Sequence, residues 1–143
     1  MKEIYIVTHG ESTHHLDRLV GGWHDSSLTK KGRREAKRCA ERLWELGLES
    51  VPIYSSDLKR AAETAERIAD RLGGTIQLDR RLREMPFGPA EGQLADEVGA
   101  ICSSNGNERL DYRNPFGGET KREFATRLYD AMDSIISTER AII

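Results

Sequence analysis

Short apolar segments alternate with amphipathic helical segments along this chain, and the alternation limits the fold more than any other feature. The first apolar segment, residues 4–7 (Ile-Tyr-Ile-Val), is β-branched and aromatic without polar alternation, which is typical of a strand covered on both faces. Residues 51–54 and 75–78 are two further predicted strands. The pattern predicts an α/β fold, a three-layer α/β/α sandwich with a mostly parallel central sheet.

Helix signals occupy the segments between these strands. A polar, glycine-containing loop is predicted for residues 10–27, an irregular stretch for 80–92 and a short helix for 93–102. Residues 141–143 can open a fourth strand. Side chains suited to begin or end the longer helices are Thr29 and Gly47, Asp57 and Gly73, and Thr120 with Glu123.

Composition indicates an ordinary globular protein and excludes several classes. The 143 residues suit one domain spanning 1–143, with 37% hydrophobic and 32% charged residues. A net charge of -2 gives no basic field for nucleic acid. The apolar run at residues 4–7 is too short for a signal peptide or membrane span, so we expect a cytoplasmic protein. Cys39 and Cys102 are predicted to be buried thiols.

His9 is the first candidate functional residue, because it directly follows the first predicted strand. Parallel sheets bind ligands beyond the carboxyl ends of their strands, and Gly10 would let a ligand approach the backbone. An isolated His-Gly pair is more often a histidine hydrogen-bonded at a strand end. The surrounding motifs therefore decide the interpretation.

Four motifs in one order carry a resemblance. Thr8-His9-Gly10-Glu11 follows the first strand, Ser55-Ser56-Asp57-Leu58-Lys59-Arg60 precedes a helix, Leu82-Arg83-Glu84 lies in the irregular stretch, and Pro115 to Thr120 precedes the last helix. Together with Gly22-Trp23-His24-Asp25, they make the chain similar to the histidine phosphatase (phosphoglycerate-mutase-like) superfamily, branch 1. The resemblance covers nearly the whole chain.

The resemblance implies a phosphomonoester hydrolase that uses no metal or cofactor. His9 would accept the phosphoryl group and Glu84 would act as general acid and base. Neutral imidazole is a good nucleophile near neutral pH, and a guanidinium such as that of Arg60 suits phosphoryl oxygens. The implied phosphate- and substrate-binding residues are Thr8, Gly10, Glu11, Ser12, His15, Gly21, Gly22 and Arg60.

Each of these roles has a plainer alternative. Arg60 could be a surface arginine paired with Glu63, which is worth a few tenths of a kcal/mol. Glu84 could be a solvated carboxylate among neighbouring arginines. A phosphorylated small molecule is the expected partner, with no nucleic acid or membrane, and a homodimer is possible.

Two departures from the family pattern stand out. Thr8 occupies the position of the family's usual arginine, and losing such a donor can cost on the order of 10²–10³ in rate. No histidine follows His24, although the family has a second one after a late strand. We therefore expect the natural protein to continue past Ile143. We also expect Phe124, Leu128 and Ile135 to be poorly covered as the chain stands, which predicts aggregation or a partner chain.

Three other functions remain open at this stage. A phosphoglycerate mutase would use the same chemistry, although the short span from Glu84 to Gly118 leaves little room for a mutase insertion. A non-catalytic phospho-ligand binding module would explain Thr8 and the missing histidine. A metal protein is suggested only by four histidines whose spacing matches no zinc pattern: His9, His14, His15 and His24.

Overall fold

The computed structural model describes residues 3–103, 109–113, 115–136 and 140–143. Within these ranges the chain forms four strands, five α-helices and two 3-10 turns. The strands are β1 (Glu3–Tyr5), β2 (Ile53–Ser55), β3 (Ile76–Leu78) and β4 (Arg140–Ile142). The helices are α1 (Thr13–Leu16), α2 (Lys30–Glu45), α3 (Lys59–Leu72), α4 (Ala95–Ser103) and α5 (Lys121–Ile135), and the 3-10 turns are Arg80–Leu82 and Gly88–Ala90.

The strands form one parallel sheet in the order β1-β4-β2-β3. Ile4 pairs with Ala141, Ile53 with Ile142, and Tyr54 with Gln77. Helices connect successive strands, as parallel pairing requires. The predicted α/β class with a parallel sheet is confirmed, and the segments after β1 and β2 leave the same edge of the sheet.

The predicted helix-end signals are confirmed at several positions. The Thr29 hydroxyl accepts a hydrogen bond from the Gly32 amide at the start of α2, and Gly73 ends α3 in the left-handed conformation. Thr120 and Glu123 form the predicted capping box of α5. These signals act locally because they satisfy backbone groups that the helix itself leaves unpaired. The prediction for Asp57 is wrong: α3 begins after Leu58 without a side-chain cap, and the Asp57 carboxylate pairs with Arg83.

The buried core lies between the sheet and the packed pair α2 and α3. Cys39 is half-buried against it, so its predicted burial is partial, and the Cys102 side chain lies outside the described residues. Trp44 stays 42% exposed beneath the Arg71 guanidinium. The core residues are Ala40, Leu43, Leu48, Val51, Ile53, Ala65, Ile68, Leu72 and Ile142.

Three sequence expectations about burial and structure need correction. Ile6 is 77% exposed, because its side chain lies just after β1 on the face that borders an open cleft. Ile135, expected to be poorly covered, is buried, whereas Phe124 and Leu128 are half-buried in the cleft wall. The predicted loop after β1 contains the one-turn helix α1.

Candidate active site

His9 follows β1 and points its two ring nitrogens at different partners. Nδ1 lies 2.8 Å from the Gly10 carbonyl oxygen, an acceptor, so this nitrogen carries the proton. Nε2 therefore holds the lone pair, and it accepts a hydrogen bond from Arg60 Nε at 3.2 Å. Burial, together with the positive charge of Arg60, lowers the pKa of His9. The ring is thus neutral at neutral pH, with Nε2 as its nucleophilic atom.

Arg60 reaches His9 from the first turn of α3 and is only 3% exposed. Its Nη1 donates to the His24 carbonyl at 2.8 Å, and its Nη2 donates to the Gly22 carbonyl at 2.7 Å. These two carbonyls belong to the loop before α2, so loop and helix together fix the guanidinium. The alternative of a surface arginine paired with Glu63 is wrong, because Glu63 instead binds Arg33 and the Leu28 amide.

Glu84 borders the same cleft as His9 and Arg60, a cleft of about 600 Å³ that also includes Thr8. The Glu84 side chain is exposed, and its Oε1 accepts a hydrogen bond from the Met85 amide at 2.7 Å. The negative charge of Glu84 acts to raise the pKa of both Arg60 and His9, although burial lowers each pKa overall. The structure therefore brings together the predicted nucleophile, the predicted phosphate ligand and the predicted acid.

Glu11 and Gly10 join the His9 loop to the start of α2. The Glu11 carboxylate accepts hydrogen bonds from Thr29 Oγ1 at 2.7 Å and Lys31 Nζ at 3.0 Å, which lower its pKa. A Cβ on Gly10 would lie 2.4 Å from the Gly32 carbonyl oxygen, so a side chain there would separate the two segments. These contacts explain both residues structurally, and their predicted substrate contact stays a prediction.

A cluster of three histidine rings lies beside the nucleophile. The His15 ring stacks on His9 with centroids 5.6 Å apart and planes inclined by 16°, and His14 lies 4.1 Å from His15. His14 is 7% exposed, and its Nδ1 bonds to the hydroxyls of Ser12 at 2.9 Å and Ser26 at 2.7 Å. Of the two histidines of α1, His15 is the one that stacks on His9, and its side chain is exposed whereas that of His14 is buried.

The three remaining predicted pocket residues occupy defined supporting positions. Ser12 is fully buried at the start of α1, and Gly21 packs so closely on the His14 ring that a Cβ would lie 2.8 Å from Nε2. Gly22 supplies a carbonyl to Arg60. Their predicted contact with substrate also stays a prediction.

The buried His14 gives the protein a pH-dependent stability. Burial lowers the pKa of His14 to about 4. Between about pH 6.5 and 4, the unfolded chain therefore binds a proton at this residue and the folded chain does not. The contribution of His14 to the free energy of unfolding is therefore fully present above pH 6.5 and is lost as the pH falls towards 4. The loss amounts to about 2 kcal/mol between pH 7.5 and 5. Urea unfolding at both values measures the loss.

His14→Gln is the matching variant, because the amide can still bond to Ser12 and Ser26 but does not titrate. Its stability loss between pH 7.5 and 5 should be clearly smaller than that of the unmodified protein. Some loss should remain, because His9 contributes in the same direction. An unchanged loss in the variant would contradict the assignment to His14.

Sequence reasoning missed the residues that hold the Glu84 segment. Trp23 Nε1 donates to the Glu84 carbonyl at 2.7 Å, and Arg83 forms a bidentate pair with Asp57 at 2.5 and 2.6 Å. Arg127 reaches the same segment from α5, and Glu119, in the loop before α5, pairs with Arg127. Glu119 falls within a recognised motif, but nothing in the sequence distinguishes Arg127 from other helix arginines.

Comparison with known proteins agrees with the fold and the motifs. The profile of the histidine phosphatase superfamily (branch 1) matches residues 4–142. A protein named "Probable phosphoglycerate mutase GpmB" from Erwinia tasmaniensis is 34% identical over 145 residues, and one of the same name from Salmonella paratyphi C is 38% identical over 140. The matches cover 96% and 95% of this chain and 64% of each relative.

Solved structures show the same fold. Bacillus stearothermophilus YhfR superimposes with a TM-score of 0.84 at 31% identity, over 99% of this chain and 73% of the other. A mycobacterial glucosyl-3-phosphoglycerate phosphatase complexed with VO3 gives a TM-score of 0.83 at 23% identity, over 99% and 74%. The second likeness concerns the fold alone.

The α/β fold, the motif order and the profile match define one class of protein. The chain belongs to the histidine phosphatase superfamily, branch 1. It spans about 64% of the length of the curated relatives it matches.

Neither a membrane span nor a metal cluster is found in the part of the chain that the structure describes. Over the described ranges, no helix has both the length and the apolar character needed to cross a bilayer. In the same ranges no three His, Cys, Asp or Glu side chains are grouped to hold a metal ion, the four histidines included.

Proposed function

We propose that this protein hydrolyses phosphomonoesters through a phosphohistidine on His9. The observation that carries the proposal is the arrangement of the neutral His9 ring, whose Nε2 lone pair faces the buried Arg60 guanidinium in a cleft shared with Glu84. Membership of the histidine phosphatase superfamily supports it. The substrate would be a phosphorylated small molecule that enters this cleft.

The reaction has two balanced steps. In the first, His9 Nε2 forms a bond to phosphorus as the bond from phosphorus to the ester oxygen breaks, and protonated Glu84 gives its proton to the leaving alkoxide. In the second, water attacks phosphorus and gives a proton to the Glu84 carboxylate as the bond from phosphorus to His9 Nε2 breaks, which releases inorganic phosphate. Neutral His9 is restored, and Glu84 is protonated for the next cycle.

The developing negative charge on the phosphoryl oxygens requires fixed donors. Arg60 supplies a guanidinium whose direction is set by two carbonyl contacts, so little reorganisation is needed when substrate binds. It also lies in the first turn of α3, where the helix dipole favours anions. Thr8 offers a hydroxyl in place of the usual second cation.

A phosphoglycerate mutase is the second candidate, because the curated relatives carry that name. A mutase would form the same phosphohistidine but return the phosphoryl group to a bound product and not to water. The two activities therefore differ in the acceptor of the second step.

Trapping the phosphoenzyme tests the proposal. The full-length protein is incubated with a ³²P-labelled aryl phosphate in EDTA, denatured in alkali and digested. We expect turnover that EDTA does not reduce, with an acid-labile, alkali-stable label on the peptide that contains His9. A parallel reaction with 3-phosphoglycerate, analysed for the 2-isomer and for inorganic phosphate, separates mutase from phosphatase.

The outcomes are distinct. Turnover lost in EDTA, or label on a peptide without His9, would reject the mechanism. Binding of inorganic phosphate without turnover of any ester would favour a phospho-ligand binding module. Isomer formation without phosphate release would replace the hydrolase with the mutase while keeping the phosphohistidine.

A further inference from the structure

A short turn leads into the segment that carries Glu84, and several carbonyl groups of this stretch are not paired with backbone amides. Asp79 caps the start of the 3-10 turn Arg80–Leu82, and its carboxylate accepts a hydrogen bond from the Arg81 amide. After the turn, the chain becomes extended at Arg83 and leads directly to Glu84. The carbonyls of this stretch need partners from elsewhere in the fold.

Arg127 of α5 supplies those partners with all five of its N–H groups engaged. Nη1 donates to the carbonyls of Arg81 at 2.6 Å and Arg83 at 2.9 Å, and Nη2 reaches the Glu84 carbonyl at 3.4 Å. Nε and Nη2 also form a bidentate pair with Glu119 at 2.8 and 2.7 Å. One guanidinium thus joins α5 to three carbonyls of the Glu84 segment.

The Arg127–Glu119 pair is shielded, with side chains 17% and 22% exposed. Its partly buried charge-assisted hydrogen bonds are stronger and more directional than those of a surface pair. The planar fork of arginine matches this set of acceptors, whereas the ammonium group of a lysine cannot. Trp23 Nε1 holds the Glu84 carbonyl as well, at 2.7 Å.

We propose that Arg127, oriented by Glu119, is a positioning residue that fixes the Glu84 carboxyl group relative to His9. The inference rests on the proposed function of Glu84 as acid and base. Arg127 itself is absent from the cleft wall, so it acts through the backbone of residues 81–84. Among the residues that the structure describes, the Glu84 side chain has one hydrogen bond, to the Met85 amide, and its placement therefore depends on that backbone.

The test exploits the different needs of two leaving groups. A nitrophenolate leaves without protonation, whereas an alkoxide needs the proton of Glu84. Because the second step is common to both esters, the comparison uses kcat/KM, which reports only the steps up to phosphoryl transfer to His9. Arg127→Ala should lower kcat/KM for an alkyl phosphate by about 10- to 100-fold, as expected for an acid moved by about 1 Å, and kcat/KM for p-nitrophenyl phosphate far less. Competitive inhibition by inorganic phosphate should change little, since His9 and Arg60 stay in place.

Two further variants keep the test decisive. Arg127→Lys retains charge and most packing, and it should show the same selective loss if Arg127→Ala does not fold. Arg122→Ala removes an exposed charge from the same helix, where it pairs with Asp111, and should leave both substrates unaffected. In a Glu84→Gln background, Arg127→Lys should cause no additional loss.

Equal losses for both leaving groups, or additive losses in the double variant, would overturn the positioning role. Failure of the proposed function looks different. In that case the unmodified protein would turn over neither ester, or Glu84→Gln alone would leave alkyl phosphate turnover unchanged.

Discussion

Replacement of His9 by alanine is expected to lower phosphomonoester turnover by on the order of 10⁴-fold or more. Without Nε2 there is no phosphohistidine, and water must attack the ester directly. The remaining Arg60 contacts with Gly22 and His24 should keep the phosphate site assembled. Steady-state kinetics with an aryl phosphate, together with phosphate binding by calorimetry, measures the two effects separately.

The matched control is His24→Ala, which removes an imidazole whose ring packs against Gly92. The carbonyl of residue 24 still serves Arg60 in that variant. Turnover should stay within a few-fold of the unmodified protein. A His9→Ala variant that retains more than a few per cent of turnover would assign the nucleophile to another residue.

Local sequence signals predicted the position of the main site residues because they act over a few residues. The apolar run before His9 fixes where a strand ends, and the segment from Ser55 to Lys59 places Arg60 in the first turn of a helix. A parallel sheet then brings both segments to one edge. Family resemblance added the roles, which physical patterns alone could not supply.

Tertiary contacts account for what sequence reasoning missed. Arg127 acquires its five acceptors only because α5 packs beside the Glu84 segment, and a lone arginine in an amphipathic helix gives no hint of this. The burial of His14 depends in the same way on Ser26, which bonds to its ring from the loop after α1. Neither arrangement has a sequence period or a cap to reveal it.

The exposure of Ile6 shows where a correct rule gave a wrong result. A continuous apolar run predicts a strand covered on both faces, and Val7 does pack against the core. Ile6 alternates to the other face, which borders the open cleft together with Phe124 and Leu128. Alternation along a strand is certain, but whether an element covers each face is a property of the whole fold.

Arg60→Ala should lower kcat by about 10²- to 10³-fold, because Arg60 is the buried cation that meets His9 Nε2 in the cleft. Thr8 provides no second guanidinium there to compensate. Arg60→Lys should recover only part of the loss, since a lysine keeps the charge but cannot contact His9, Gly22 and His24 together. Inhibition by inorganic phosphate should weaken in parallel in both variants.

Arg67→Ala is the matched control, since Arg67 lies on the same helix and forms a surface pair with Asp70. Its turnover should stay within about twofold of the unmodified protein, because surface pairs contribute little. Thermal unfolding must accompany the kinetics, because Arg60→Ala leaves two carbonyls without their donor. If a folded Arg60→Ala variant keeps full turnover and full inhibition by phosphate, the guanidinium is not a phosphoryl ligand, and its contacts with His9 only support the loop.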